Sequence, residues 1–454
     1  MLDTLFVNGS YPDFEKNQIV KANIGIENGK IKYIGNDAPD AAETIDCTGK
    51  IVSPGFIDIH MHEEDFKEGK KWIMAKLMAK QGVTLAVGGN CGVMKQPVKV
   101  FKQVMNELGG CPINYIILSG YNYYRTDVLG LGHYEECSKE NRDKIREYML
   151  EDLEEGAFGL SFGIEYDPGM TTEEIKYACQ LKDDSHLLVA AHYRFDGERA
   201  VPAIKEMLDI QDSMDKKFQI SHLSSCSALG QMKEAIDVIN EYMEKNPKLN
   251  YDTYPYNAFS TTIGSTVFED GCFEGWKKTY SDILLTGEPY LNQFCTKEIF
   301  EDARANYPDM LAVAFVMNED EIADAITNKN GMVASDGIIF NGKGHPRAAG
   351  TFPRLLGKYV REEKKLSLID GLRKITLEPA KRLEIEGRKG QIIVGADADI
   401  TVFDPDTIID GPTFQDMDIP NVGIDYVFVN GIKTVKNNEI LTEKSGRFIS
   451  YFDK

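Results

Sequence analysis

Through the middle of the chain, short apolar runs alternate with stretches of helical character. The runs are Ile51 to Ile59, Val83 to Val87, Tyr115 to Leu118, Gly159 to Phe162, Leu187 to Ala191, Gln219 to Ser221 and Met332 to Ala334. Amphipathic segments such as Lys70 to Lys80 and Met232 to Lys245 lie between them. A β-then-α rhythm sustained over this span predicts a parallel α/β fold. The polar residues of interest fall just after the apolar runs. A barrel of parallel strands puts its active site at those strand ends. Residues 265–330 break the rhythm and are expected to form an insertion or lid.

The chain ends read differently. Leu5-Phe6-Val7 precedes Asn8-Gly9, and two further β-like runs flank Glu27-Asn28-Gly29-Lys30. Asn-Gly between apolar runs is the strongest short-range hairpin signal. Near the C-terminus, Gly390 to Val394, Asp399 to Phe403, Ile424 to Val429 and the segment after Asn430-Gly431 have strand character. The expectation is a small sheet domain built from residues 1–53 and 388–454, with the α/β unit spanning 54–387. Internal repeats and low-complexity tracts are absent.

Composition narrows the class. At 454 residues, with 42% hydrophobic and 27% charged, the chain has room for a barrel-sized domain and a smaller one. A formal net charge of -21 argues against nucleic acid or an anionic membrane as partner and leaves a small molecule as the expected ligand. Met1 to Leu5 carries no signal-peptide pattern, and no apolar window is long enough to span a bilayer. The eight cysteines are scattered without a CxxC pair, which reads as reduced thiols and a cytoplasmic protein. A homo-oligomer is compatible with all of this.

His60 and His62 stand two apart after the run Pro54-Gly55-Phe56-Ile57-Asp58. On a strand, that spacing points both imidazoles to one side. Two converging imidazoles make half of a zinc site.

That run resembles the first-strand signature of the amidohydrolase superfamily, and the likeness covers nearly the whole chain. Glu378-Pro379-Ala380-Lys381 and Gly390 to Ile400 are similar to the superfamily's closing helix and its return to the sheet domain. The resemblance implies a (β/α)₈ TIM-like barrel carrying a small β-sandwich formed by both termini. Gly89-Asn90-Cys91-Gly92 resembles the N-acyl-D-amino-acid deacylases (D-aminoacylases), in which the cysteine of this turn ligates zinc. By the same match His192 and His222, each ending a candidate strand, are zinc ligands. Cys91, His192 and His222 then leave one position open, which is the catalytic pattern. His60 and His62 flank a second, weaker position. The cofactor implied is Zn²⁺, one ion held tightly and room for another.

Asp336, in Ser335-Asp336-Gly337, matches the superfamily's catalytic aspartate, which would pass a proton from water to the leaving nitrogen. Zinc brings bound water to a pKa near 7. The segment Gly344-His345-Pro346-Arg347, continuing to Gly350-Thr351-Phe352-Pro353-Arg354, resembles the HPR and GTFPR run of the deacylases. Arg347 matches the residue that holds the substrate α-carboxylate, a task suited to a guanidinium. His345 is an oxyanion-stabilising or supporting candidate. Tyr166, Tyr256 and Ser260 match substrate-contacting positions. Two departures bear on the substrate. Ser224 stands where the family commonly has a carboxylate-binding lysine, and the family's His-Met-Arg-Asp-Glu is replaced by His192-Tyr193-Arg194-Phe195-Asp196-Gly197-Glu198.

The resulting expectation is a zinc-dependent hydrolase that deacylates an N-acyl-D-amino acid or related N-acyl amine. One alternative is a cyclic amidase of the dihydroorotase or hydantoinase kind, against which Cys91 and the HPR run stand. Another is a catalytically silent homologue acting as a binding protein, which should have lost ligands or Asp336.

Overall fold

The computed structural model describes residues 1–340 and 342–453. Eight parallel segments organise its centre: β1 (Phe56–Asp58), β2 (Val83–Gly88), β3 (Asn114–Ile117, resuming at Ser119–Gly120), β4 (Gly159–Gly163), β5 (Leu188–His192), β6 (Lys217–Ile220), β7 (Leu249–Thr253) and β8 (Met332–Val333). Each pairs in parallel with the next in chain order. Parallel neighbours need a crossover, and helices such as Val98–Leu108, Lys139–Glu154, Ala200–Asp212 and Met232–Lys245 supply it. The segments after β1 and β8 also meet. Met61 bridges Gly337 in parallel, and the Asp336 N–H donates to the His60 carbonyl at 2.8 Å.

The two-residue period of a strand divides the core. Ile57, Ile59, Leu85, Val87, Ile116, Leu118, Leu188, Ala190, Met332 and Ala334 pack into one cluster. Their neighbours Phe56, Ala86, Tyr115, Ile117, Val189, Ala191 and Val333 belong to a larger cluster shared with the helices. Both sets are buried, which is why these strands read as continuous apolar runs.

Both chain ends enter one seven-stranded sheet. Ile400–Phe403 pairs antiparallel with Ile51–Pro54, placing Phe403 opposite Ile51 and Ile400 opposite Pro54. A four-stranded sheet of residues 2–46 shares an apolar cluster with it, in which Phe6, Ile24, Ile26 and Ile45 meet Val52, Ile400 and Phe428. The Glu27 to Lys30 and Val429 to Ile432 turns are hairpins, as Asn-Gly predicts.

Asn8-Gly9 is not a hairpin. Leu2–Val7 pairs with Asn23–Glu27 and Ala41–Asp46, whereas Ser10–Asp13 pairs with Gln18–Lys21 in the other sheet. The dipeptide turns the chain from one sheet to the next, with Gly9 lying too close to Val52 and Cys47 for a Cβ. Gly390 to Val394 also forms no strand: Gly390 has φ 78°, and Val394 is 62% exposed. The irregular region between β7 and β8 has its own order. Phe259–Thr262, Leu311–Ala314, Ile283–Leu285 and Gln293–Phe294 make an antiparallel sheet with the helix Lys297–Asn306. Among the described residues, no helix is long and apolar enough to cross a membrane.

Candidate metal centre and substrate cavity

The strand ends bring one buried cluster together. Cys91 Sγ lies 3.3 Å from His60 Nε2 and 3.3 Å from His222 Nε2. His60 Nε2 is 3.4 Å, and His62 Nε2 3.3 Å, from Asp336 Oδ1. The donor atoms of His60, Cys91, His222 and Asp336 all lie within 4.8 Å of one another. Zn–S and Zn–N bonds of about 2.3 and 2.0–2.1 Å set the donors of a tetrahedral zinc about 3.5 Å apart. The spacing of Cys91 from the two imidazoles matches that edge, so the donor set fits a zinc ion.

The cysteine is presented by its turn. Gly89 has φ 74° and Gly92 φ 70°, and a Cβ on either would collide with the Leu118 carbonyl or the Asn122 side chain. Between them Cys91 itself has φ 54°. His222 (φ 33°) and Asp336 (φ 48°) are left-handed as well. Left-handed backbone at a non-glycine residue costs of order 1–3 kcal/mol and persists only where its surroundings enforce it. Here they do. The His222 N–H donates to Asp252 Oδ1 at 2.8 Å. The Asp336 segment is tied to β1 through Asp58, whose carboxylate accepts from the Ser335 N–H at 2.9 Å and its hydroxyl at 2.5 Å.

Asp252 is a positioning carboxylate that sequence reasoning missed. Besides holding the His222 backbone, it lies 3.1 Å from His60 Nδ1, and Gln219 Nε2 donates to it at 3.0 Å. A carboxylate behind an imidazole fixes its tautomer and orientation toward an ion. Its signal was present: Asp252 is the acid at the end of the β7 run.

Electrostatics are set by these contacts. Burial opposes ionisation of the Cys91 thiol, but His60 and His222 hold it well below the ordinary range. Burial likewise opposes ionisation of Asp336, yet Arg347 and His222 keep its carboxyl well below the usual carboxylate range. His345 is driven well below the usual imidazole range by burial and then by Arg347. Its Nε2 lies 3.0 Å from the Ala258 carbonyl and its Nδ1 accepts from the Arg347 N–H at 3.0 Å, the arrangement of a neutral ring.

A cavity of about 390 Å³ opens over the cluster, walled by His62, Lys95, Tyr166, Ser260, Asp336 and Arg347. A narrow recess below it reaches His192, His222, Glu165 and Cys226. Arg347 Nη2 is 3.0 Å from Asp336 Oδ2 and donates to the Ser260 carbonyl at 3.1 Å. Its Nε and Nη1, and the Ser260 hydroxyl, are buried without a protein partner. Such groups are costly unless something else satisfies them.

The sequence-selected residues do not all converge. His192 does reach the cluster, in side-chain contact with Cys91 and with its ring centroid 4.4 Å from that of His222, while its Nε2 also lies 2.7 Å from Glu165 Oε2. Tyr166 packs edge-on to His192 at 4.7 Å. Tyr256 donates to Asp410 at 3.3 Å, and Ser224 accepts from the Thr253 hydroxyl at 2.7 Å while fully buried. Neither lines the cavity or its recess.

The chain is similar along nearly its whole length to known proteins. The chain is 28% identical to the D-aminoacylase of Alcaligenes xylosoxydans xylosoxydans over 489 aligned positions, covering 99% of this chain and 97% of that one. It is 29% identical to the N-acyl-D-glutamate deacylase of the same organism, covering 90% and 89%. The solved structure of N-acyl-D-glutamate deacylase from Bordetella bronchiseptica, complexed with zinc and a phosphonate inhibitor, superposes with a TM-score of 0.88 at 26% identity over 99% of both chains. Residues 51–433 match the model of the amidohydrolase family, and the chain belongs to that family.

Proposed function

We propose that this protein is a zinc-dependent deacylase that hydrolyses the amide of an N-acyl-D-amino acid. The observation that carries the reading is the Arg347–Asp336 pair, 3.0 Å apart at the wall of the cavity above the Cys91 cluster. Arg347 offers N–H donors to an α-carboxylate, and Asp336 stands between that anchor and the metal-type residues. Cys91, His192 and His222 would hold the ion, with His60 and His62 beside them. When bound there, zinc would polarise the amide carbonyl and acidify water.

The chain's own residues do the rest. Arg347 binds the carboxylate end, with Ser260 and Tyr166 along the wall, and fixes the amide over Asp336. The Asp336 carboxylate accepts a proton from the attacking water and returns it to the leaving nitrogen, so an N–H forms as the C–N bond breaks. His345 keeps Arg347 in place by accepting the Arg347 backbone N–H at its Nδ1. Asp252 orients His60.

The finer architecture belongs to the same reading. The cluster of alternate strand residues is the interior of a closed (β/α)₈ barrel, and the Met61–Gly337 bridge closes it. The two terminal sheets form a β-sandwich over residues 1–53 and 388–454. The antiparallel sheet between β7 and β8 lends Phe259, Ser260 and Thr261 to the recess wall and acts as its cover.

The test is hydrolysis of N-acetyl and N-formyl D- and L-amino acids with zinc supplied and amine release recorded. Turnover confined to D-substrates supports the proposal. No turnover on the whole panel by a zinc-loaded protein overturns it and directs attention to cyclic amides.

A further inference from the structure

The recess below the substrate cavity is walled by charges of both signs. Arg347 presents Nε and Nη1 there, both buried without a protein partner, and the Ser260 hydroxyl is in the same condition. Arg347 is 1% exposed and Ser260 6%. Buried donors left unpaired point to a ligand that accepts from them. Both residues also wall the large cavity. Glu165, Asp196 and Val267 wall the recess as well, and these three also wall a second cavity of about 580 Å³. The recess thus lies between two cavities, with unsatisfied donors toward one and a pair of carboxylates toward the other.

Those carboxylates have no cationic side chain of the protein to balance them. Glu165 Oε2 meets His192 Nε2 at 2.7 Å, and Asp196 Oδ2 accepts from Trp276 Nε1 at 2.5 Å. Among the described residues, neither acid is ion-paired with a lysine or arginine. Arg194 is committed to Glu206 at 2.7 Å, and Arg199 stacks on the Phe195 ring at 3.8 Å. Burial, and then Glu165, pushes the Asp196 carboxyl up to about 7. Negative charge taken from water without a partner is costly. Between the two charged regions the recess wall includes Phe259 and Val267, an apolar track on which an aliphatic stem can lie. The sequence bears on the same point. Asp196 falls in the His192 to Glu198 segment, where the chain departs from the deacylase pattern, and the other departure, Ser224, stands where that pattern has a lysine.

We propose, resting on the deacylase reading, that the substrate's amino acid carries a cationic side chain, an ammonium or guanidinium on an aliphatic stem, with Glu165 and Asp196 as its counter-charges. Arg347 holds the α-carboxylate, the stem runs along Phe259 and Val267, and the charged head lies against the two carboxylates. An acidic side chain in the same place meets like charge and is rejected.

The test compares N-acetyl-D-lysine with N-acetyl-D-norleucine, which is the same molecule without its side-chain amine, and with N-acetyl-D-glutamate. Steady-state kcat/KM is measured for each, and calorimetry gives the affinities of the products D-lysine and D-norleucine. Zinc-loaded full-length wild type, Asp196→Asn and Glu165→Gln are used, since both changes keep shape and hydrogen-bonding capacity while removing charge. The expected result is a lysine-to-norleucine ratio of at least about tenfold in kcat/KM and in affinity, with glutamate poorest. That ratio should fall toward one in both variants. A wild-type ratio near one, or a ratio unchanged in either variant, would overturn the proposal. Turnover without preference sinks this inference and leaves the deacylase reading standing. Selective binding of D-lysine with no turnover of any substrate keeps the subsite and removes the deacylase reading, and neither binding nor turnover of the lysine compounds overturns both.

Discussion

Arg347 and Asp336 form a buried ion pair, Nη2 to Oδ2 at 3.0 Å, with both side chains less than one-tenth exposed. Each holds the other at the wall of the cavity. The carboxylate has one oxygen toward Arg347 and the other toward His60 and His62, so it links the carboxylate anchor to the metal-type cluster. Removing either partner leaves an uncompensated buried charge, a loss typically of 2–5 kcal/mol.

Replacing Asp336 with Asn keeps the shape and removes the base. The expected outcome is a fall in kcat of about 10²–10⁴-fold or more, with metal content unchanged. Turnover and metal analysis on the same preparation check this. A variant that keeps more than about a tenth of wild-type kcat would remove Asp336 from the proton-transfer role.

Arg347→Lys keeps a positive charge but loses the planar fork. For an N-acyl amino acid, kcat/KM should fall by at least about 2 kcal/mol, some thirtyfold. For an N-acyl amine lacking the carboxylate, the fall should be smaller. Equal losses on the two substrates would mean that Arg347 serves Asp336 alone.

Ser224→Ala removes one buried hydrogen bond, the one from Thr253, which costs about 1 kcal/mol. KM and kcat should not change, because Ser224 is bonded to Thr253 and is not among the residues lining the cavity or its recess. Thermal unfolding and steady-state kinetics decide the matter, and a raised KM would return Ser224 to the substrate site.

Acid should weaken the packing within the terminal sheet region. Asp397 is 4% exposed, and Lys389, Lys30 and Arg388 surround it. Burial opposes its ionisation, but Lys389 and then Lys30 bring its pKa down from 3.8 to about 2. The folded value lies below the unfolded one, so the stabilisation is complete above pH 4. It is lost as pH falls toward 2, and amounts to about 2 kcal/mol. Asp397→Asn should therefore lower the unfolding midpoint at pH 6, and the gap from wild type should shrink at pH 3. A constant gap would assign the effect to packing.

Much of this was legible in the chain. The parallel strands announced themselves because they are buried on both faces, and the metal-type residues because each follows such a run. What sequence could not show was geometry. Cys91 contacts His60, His192 and His222 together, and its own left-handed turn is a feature no spacing rule supplies. Tyr256 matched a substrate position by motif, and its bond to Asp410, a residue 154 positions later, is one that no local pattern connects to it. Asn8-Gly9 misled for a related reason: the dipeptide specifies a sharp turn, and which sheet receives the next strand depends on residues far away.

The pairing of Ile51 with Phe403 has a consequence for biosynthesis. About 350 residues separate the two, and a ribosome adding roughly 5–20 residues per second needs on the order of twenty to seventy seconds to bridge them. For that interval the strand Ile51–Pro54 has a bare edge where Ile400–Phe403 will later lie. The chain must protect an apolar β-edge throughout its synthesis, and a nascent segment of residues 1–54 should be a preferred client of ribosome-associated chaperones.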